Sequence, residues 1–196
     1  MRSELRLLYC TDGLAMPFYS NKIANRLKQE WPIVMVGVAS DPKNRAEEYV
    51  VGRDKEAYAR HEEFFTTTIP AWFLSEFGIA TTRDRTALFG YSCGGNFVSA
   101  MAVAHPERYR GAIAMSIAGR PVRVDLDADP ELDVTDLRFY LAAGNYEMSG
   151  MKNYMIRLEE WLLKNGASCE FSLKDGDHNL YFWTRELHHA VPWVFE

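Results

Sequence analysis

Cysteine is scarce in this sequence, long apolar runs are missing, and neither sign of charge dominates. The 196 residues hold three cysteines, Cys10, Cys93 and Cys169, an odd number that does not pair off into a disulfide framework. No run is apolar enough to span a bilayer, and the opening Met1-Arg2-Ser3-Glu4-Leu5 is not a signal segment, so a reducing cytoplasm is the simplest setting. Against 27 Asp and Glu stand 22 Lys and Arg, a net charge of -5 without a basic patch for nucleic acid or an anionic membrane. Internal repeats are absent as well, and one domain over residues 1–196 is expected. Room before the first strand is also lacking, so the sheet is read as trimmed at its N-terminal side. Exposed edges of such a sheet leave a homodimer open.

What is present suits a well-packed core. Hydrophobic residues make up 47% and charged ones 25%, and a chain of this length buries about 70% of the surface its unfolded form exposes. Apolar runs suited to buried parallel strands alternate with amphipathic stretches, the rhythm of an α/β fold built on a mostly parallel, doubly wound sheet of about six strands. Strands are predicted at Leu5 to Thr11, Ile33 to Ala39, Thr86 to Gly90, Gly111 to Ser116, Leu137 to Ala143 and Ser168 to Leu173. Helices are predicted over Tyr19 to Glu30, much of Lys55 to Phe77, Gly95 to His105, Ser149 to Asn165 and Tyr181 to Ala190. Gly78, His105-Pro106 and Asn165-Gly166 supply helix stops. Only about twenty residues, Arg120 to Asp136, separate the fourth and fifth strands, too few for a helical lid, so an open site is expected.

Between the third strand and the helix after it stands Gly90-Tyr91-Ser92-Cys93-Gly94. The pattern G-x-S-x-G alone arises by chance in roughly one chain of this length in twenty. Placed between strand and helix, it reads as a nucleophile elbow, a turn that forces the serine into a strained conformation with its hydroxyl clear of the sheet. A serine hydroxyl needs a base to take its proton and an acid to orient that base. The order Ser, Asp or Glu, His is met by Ser92, by Glu147 in the turn after the fifth strand, and by His178 in Asp175-Gly176-Asp177-His178-Asn179 after the sixth. Both turns fall at the carboxyl edge of the sheet, where open α/β sheets collect ligands. Activity should then climb with pH through an ordinary histidine range of roughly 6 to 7. Asp175 and Asp177 compete for the role of acid, but so near His178 in sequence they are better placed to shape its turn. The oxyanion would meet the N–H of Cys93 and a second N–H from Asp12-Gly13-Leu14, placed at Leu14 with Gly13 the competitor.

Five segments carry a resemblance to a known family: Leu8-Tyr9-Cys10-Thr11-Asp12-Gly13; Asn44-Arg45 with Glu48-Tyr49; Phe64-Phe65 through Ile69-Pro70; Gly90 to Gly95; and Asp177-His178-Asn179 followed by Phe182-Trp183. Together they resemble the putative-esterase (esterase D and enterochelin-esterase-like) group of the α/β-hydrolase superfamily, over most of the chain. The resemblance implies an α/β-hydrolase fold without a lid domain and a cofactor-independent serine esterase, with Ser92 as nucleophile and His178 as base. Members take their acid, Asp or Glu, from after the penultimate strand, and some work with a Ser-His pair. Mycolyltransferases of the superfamily have a similar Asp-Gly-Leu turn whose leucine N–H serves the oxyanion, which supports Leu14.

The expected activity is hydrolysis of small to medium carboxylic esters through an acyl-enzyme. Acyl transfer, peptide or thioester cleavage, or a binding protein on the same scaffold are the alternatives. No metal is expected: Asp125-Leu126-Asp127-Ala128-Asp129 begins like a calcium loop, but Pro130 and Asp136 stand where Gly and Glu are needed. Cys93 is read as small packing, and Arg45 with Glu48 as a structural ion pair. Phe182 and Trp183 either line the substrate pocket or pack in the core. Glu147 has its own bland reading as a first-turn residue complementing the dipole of the next helix.

Overall fold

The computed structural model describes residues 5–27, 32–119 and 133–196. Within them the six predicted strands form: β1 (Arg6–Cys10), β2 (Ile33–Gly37), β3 (Thr86–Tyr91), β4 (Gly111–Met115), β5 (Arg138–Gly144) and β6 (Ser168–Lys174). They make one sheet in the order β2-β1-β3-β4-β5-β6, and every neighbouring pair is parallel. Tyr91 extends β3 one residue beyond Gly90, directly up to Ser92.

Alternation along each strand splits the core in two, because successive side chains leave opposite faces of a sheet. Leu7, Tyr9 and Leu88 point to one face, where they meet Tyr49, Phe65, Phe97 and Leu158. Leu8, Cys10 and Phe89 point to the other, against Tyr19, Leu187 and Val191. The first face is covered from α2 (Arg45–Tyr49), α3 (Lys55–Glu63), α5 (Cys93–Ala104) and α6 (Ser149–Lys164), and the second by α1 (Met16–Leu27) and α7 (Leu180–Phe195). This is the doubly wound α/β arrangement expected from the apolar runs, and burial on both faces explains why those runs read as nearly continuous.

The helices depart from expectation where local rules lost to packing. Residues 55–77 are helical, as expected, but are divided into α3, a π turn at Phe64–Thr68 and α4 (Ile69–Phe77). Pro70 has no N–H for a regular turn, and the Ile69 N–H bonds to the Phe64 carbonyl instead. The last helix was expected to stop at Ala190, yet α7 runs on through Pro192 to Phe195. A helix-interior proline costs about 3 kcal/mol. Val194 and Phe195 are both buried, and each recovers about 1.5–3 kcal/mol. The short α2 had no signal in the apolar pattern. Asp54 caps α3 by accepting from the Glu56 and Ala57 N–H groups, and Gly78 ends α4 in the left-handed region at φ 64°. Residues 120–132, including the Asp125–Asp129 stretch and most of the short loop from which an open site was expected, lie outside the described residues.

The strand order fixes where a site can form. From β1 the chain crosses to β2 on one side and then to β3 on the other, so the carboxyl ends of β1 and β3 diverge at a switch point. Asp12-Gly13-Leu14 and Ser92 lie at those two ends.

Candidate active site

Four non-glycine residues have positive φ among the described residues, and three of them stand just past β1, β3 and β4: Asp12 (55°), Ser92 (56°) and Ser116 (51°). Such conformations cost on the order of 1–3 kcal/mol each and persist where surrounding structure enforces them. Ser92, with ψ −127°, is held on both sides: its N–H donates to the Met115 carbonyl at 2.9 Å and its carbonyl accepts from Ala118 at 3.1 Å. The flanking glycines are required by space, since a Cβ at Gly90 would enter the Gly94 backbone and one at Gly94 would meet the Thr11 hydroxyl. Helix α5 starts at Cys93, two residues before the predicted Gly95, so the Cys93 N–H is a first-turn donor without a helical acceptor. The Cys93 side chain packs against the core, as expected of it.

On the β1 turn the two candidate oxyanion donors differ. The Gly13 N–H is engaged with the Val38 carbonyl at 2.8 Å. Leu14 sits in the following 3-10 turn with its side chain 72% exposed. Asp12, at the head of this turn, receives a two-pronged contact from Arg45, Nε to Oδ1 at 2.5 Å and Nη2 to Oδ2 at 2.9 Å, while Arg45 Nη2 also reaches the Tyr91 carbonyl at 3.3 Å. Burial works against the Arg45 charge, but the Asp12 carboxylate more than restores it and raises the guanidinium above its ordinary value. The partner of Arg45 is therefore Asp12, not Glu48; Glu48 accepts the Asp41 N–H and faces His61. Through this pairing Arg45 ties the β1 turn to the residue before Ser92.

The turns after β5 and β6 are packed against each other, and this brings Glu147 to His178. Asn145 N–H donates to the Lys174 carbonyl at 2.9 Å and Tyr146 N–H to the Gly176 carbonyl at 3.2 Å. Gly144 lies so close to the Gly176 backbone that a Cβ there would collide with it. Glu147 has a fully buried side chain, and its Oε2 stands 3.5 Å from Nδ1 of His178, whose side chain is 36% exposed. That distance is long for a hydrogen bond, as it often is before substrate tightens a site, and Oε2 has no other hydrogen-bond partner among the described residues. Oε1 accepts the Ser116 hydroxyl at 2.5 Å and the Gly144 N–H at 3.1 Å. Burial pushes the Glu147 carboxyl up, but His178, Ser116 and the Gly144 N–H outweigh it, and the net shift is downward, toward the carboxylate. Asp177 uses Oδ1 to accept the backbone N–H of His178 at 2.8 Å. Asp175 interacts with the Tyr146 hydroxyl.

The chain belongs to the putative-esterase family. The family model described as "Putative esterase" matches residues 2–194. Among solved structures, the chain is similar to enterobactin esterase FES from Shigella flexneri in the presence of enterobactin, with 21% identity, TM-score 0.78, and coverage of 98% of this chain and 51% of that one. It is also similar to BES protein from Bacillus cereus (15% identity, TM-score 0.77, 99% and 84% covered). A third likeness is to siderophore hydrolase EstA from Aspergillus nidulans (15%, TM-score 0.73, 98% and 82%). The chain thus spans about half the length of the Shigella flexneri enterobactin esterase it matches. No protein of curated function matches in sequence.

Two further residues stand behind the candidate acid: Ser116, which carried no usable signal in the sequence, and Trp183, for which the sequence left pocket lining and core packing both open. Ser116 looks like the end of a strand, and its burial and positive φ appear only in three dimensions. Trp183 is 5% exposed and lies in the core, yet its indole Nε1 donates to Ser116 Oγ at 2.7 Å and its ring stacks on Tyr91 at 4.1 Å and 14°. His178 meets the same ring edge-on at 5.1 Å. Phe182 packs fully into the core.

Proposed function

We propose that this chain is a serine esterase that hydrolyses carboxylic esters with small to medium acyl or alcohol groups through an acyl-enzyme. The observation that carries the reading is the buried Glu147 carboxylate facing Nδ1 of His178, on turns at the same sheet edge as the strained Ser92. In this reading His178 Nε2 takes the Ser92 proton as Oγ bonds to the ester carbonyl carbon, and the carbonyl π pair moves to oxygen. Glu147 holds the neutral ring in the tautomer protonated at Nδ1, leaving Nε2 free to accept, and stabilises the imidazolium that forms. The N–H groups of Cys93 and Leu14 receive the oxyanion, the Gly13 N–H being engaged with Val38. Collapse breaks the bond to the alkoxide, which leaves as the alcohol with the proton from His178. Water then repeats the sequence on the acyl-enzyme and releases the acid.

Leu14, Tyr146, Met148 and Tyr181 are each at least 70% exposed; the first three lie on the turns after β1 and β5, and Tyr181 is in the first turn of α7 after His178. They support an apolar or aromatic portion of the ester lying across the rim of the site. The enterobactin esterase and the siderophore hydrolase among the similar folds are consistent with an ester substrate in general. Hydrolysis of p-nitrophenyl acetate and butyrate by the chain and by Ser92→Ala is the direct test. A loss on the order of 10³-fold or more is expected for the variant. Equal rates, or no labelling of Ser92 by a fluorophosphonate in folded protein, would overturn the reading.

A further inference from the structure

The polar chain behind the candidate acid has a direction that hydrogen-bond chemistry sets without ambiguity. An indole N–H can only donate, so Ser116 Oγ must accept from Trp183 Nε1 at 2.7 Å. The single hydroxyl hydrogen of Ser116 is then committed to Glu147 Oε1 at 2.5 Å. With Gly144 N–H on the same oxygen, Oε1 is saturated and the carboxylate cannot turn. Its other oxygen, Oε2, is left aimed at His178. Ser116 is fully buried and held at φ 51°, so the strained turn after β4 serves the acid as the strained turn after β3 serves the nucleophile.

Trp183 does more than supply the N–H. Its ring is stacked on Tyr91, the residue before Ser92, and lies under the His178 imidazole. One rigid side chain from α7 therefore touches Tyr91 beside the nucleophile, the base and the support of the acid. Among the described residues, the groups facing His178 are Glu147 Oε2 at Nδ1 and the Trp183 ring, while the carboxylate of Asp177 is turned to the backbone N–H of His178.

We infer that Ser116 and Trp183 are positioning residues, a directed relay from indole N–H to hydroxyl to carboxylate that locks Glu147 in the orientation His178 requires. The inference rests on the Ser-His-Glu reading of the site. Two substitutions separate it from simple packing. Ser116→Ala removes the donor to Oε1, and Trp183→Phe keeps a stacked ring but frees the Ser116 hydroxyl to rotate away.

The expected result for Ser116→Ala is a fall in kcat on the order of tenfold with KM within about twofold, since the relay acts on the base and not on bound ester. The acid limb of its kcat/KM profile should move to lower pH, because an imidazolium with a loosely held partner gives up its proton sooner. Trp183→Phe should shift both in the same direction by less. The double variant should be no worse than Ser116→Ala alone, as expected for two members of one chain. Histidine ring resonances titrated in the Ser92→Ala background give the same answer without turnover. There the His178 midpoint should fall when Ser116→Ala is added. A midpoint that is unchanged or rises, or additive losses in the double variant, would overturn the relay. If instead the native chain and Ser92→Ala hydrolyse esters equally, the esterase reading fails, and the His178 titration still decides whether Ser116 orients Glu147.

Discussion

Glu147 divides its two oxygens between different tasks. Oε1 is spent on Ser116 and Gly144, and Oε2 is kept, buried and otherwise unpaired, for His178. A buried acceptor left without a donor costs about 1–3 kcal/mol, so the arrangement is stable only if the imidazole supplies a proton to it. This separates Glu147 from its neighbours in sequence. Asp177 is nearer to His178 along the chain but has its carboxylate on the backbone N–H of its own turn. Two isosteric changes test the division of labour. Glu147→Gln keeps the shape and places an amide where the imidazolium needs a charge, so kcat/KM for p-nitrophenyl butyrate should fall on the order of 10²-fold or more. Asp177→Asn should cost less than about threefold, because an amide oxygen can still accept the His178 N–H. The reverse ranking would transfer the role of acid to Asp177.

At the scale of elements, the site depends on contacts between turns rather than on any one turn. The strand ends were legible because runs such as Leu88-Phe89 and Leu141-Ala142-Ala143 are buried on both faces and stop at Gly or a polar residue. Ser92, Glu147 and His178 could therefore be assigned to one sheet edge from their order alone. What could not be read were pairings between residues far apart in the chain. Arg45 and Asp12 are 33 residues apart, and Trp183 and Ser116 are 67 apart. Nothing in local composition distinguishes Arg45 paired with Asp12 from Arg45 paired with Glu48 three residues on. Nor does helical periodicity reveal that Trp183, for which pocket lining and core packing were both open, is buried in the core and turns its one polar atom toward Ser116. The turns after β5 and β6 illustrate how tightly such contacts are specified. A methyl group at Gly144 would occupy the Gly176 backbone, so Gly144→Ala must push the two turns apart. A displacement of about an ångström costs on the order of 10²-fold in a positioned reaction. Turnover should therefore fall far more in Gly144→Ala than in Gly150→Ala, where a Cβ would meet nothing within 4 Å. Equal turnover in the two variants would mean that the packing of these turns does not hold Glu147 to His178.

Of the five histidines in the sequence, His61 is the one that the whole fold buries. His61 lies in the core on the α2–α5 face, ringed by Tyr49, Phe65 and Phe97 at centroid distances of 5.1, 5.3 and 5.1 Å. Burial alone pushes its pKa from the ordinary 6.5 down to about 4. Glu48 Oε2, 3.9 Å from Nδ1, is beyond hydrogen-bond distance and does not offset the burial. In the folded protein His61 thus stays neutral where the unfolded chain has already bound a proton. Its contribution to stability is complete above pH 6.5 and fades as pH falls to about 4. Glu147, whose pKa is lowered, adds a loss that begins only below its ordinary 4.5. Acid should therefore weaken the fold in two stages, His61 first, by about 2–3 kcal/mol between pH 7.5 and 4.5. Urea unfolding at those two pH values measures it. His61→Phe, which places a ring among rings and removes the titration, should flatten the difference without touching the site. An equal loss in the variant would assign the acid sensitivity to other groups, because a core phenylalanine has no proton to gain.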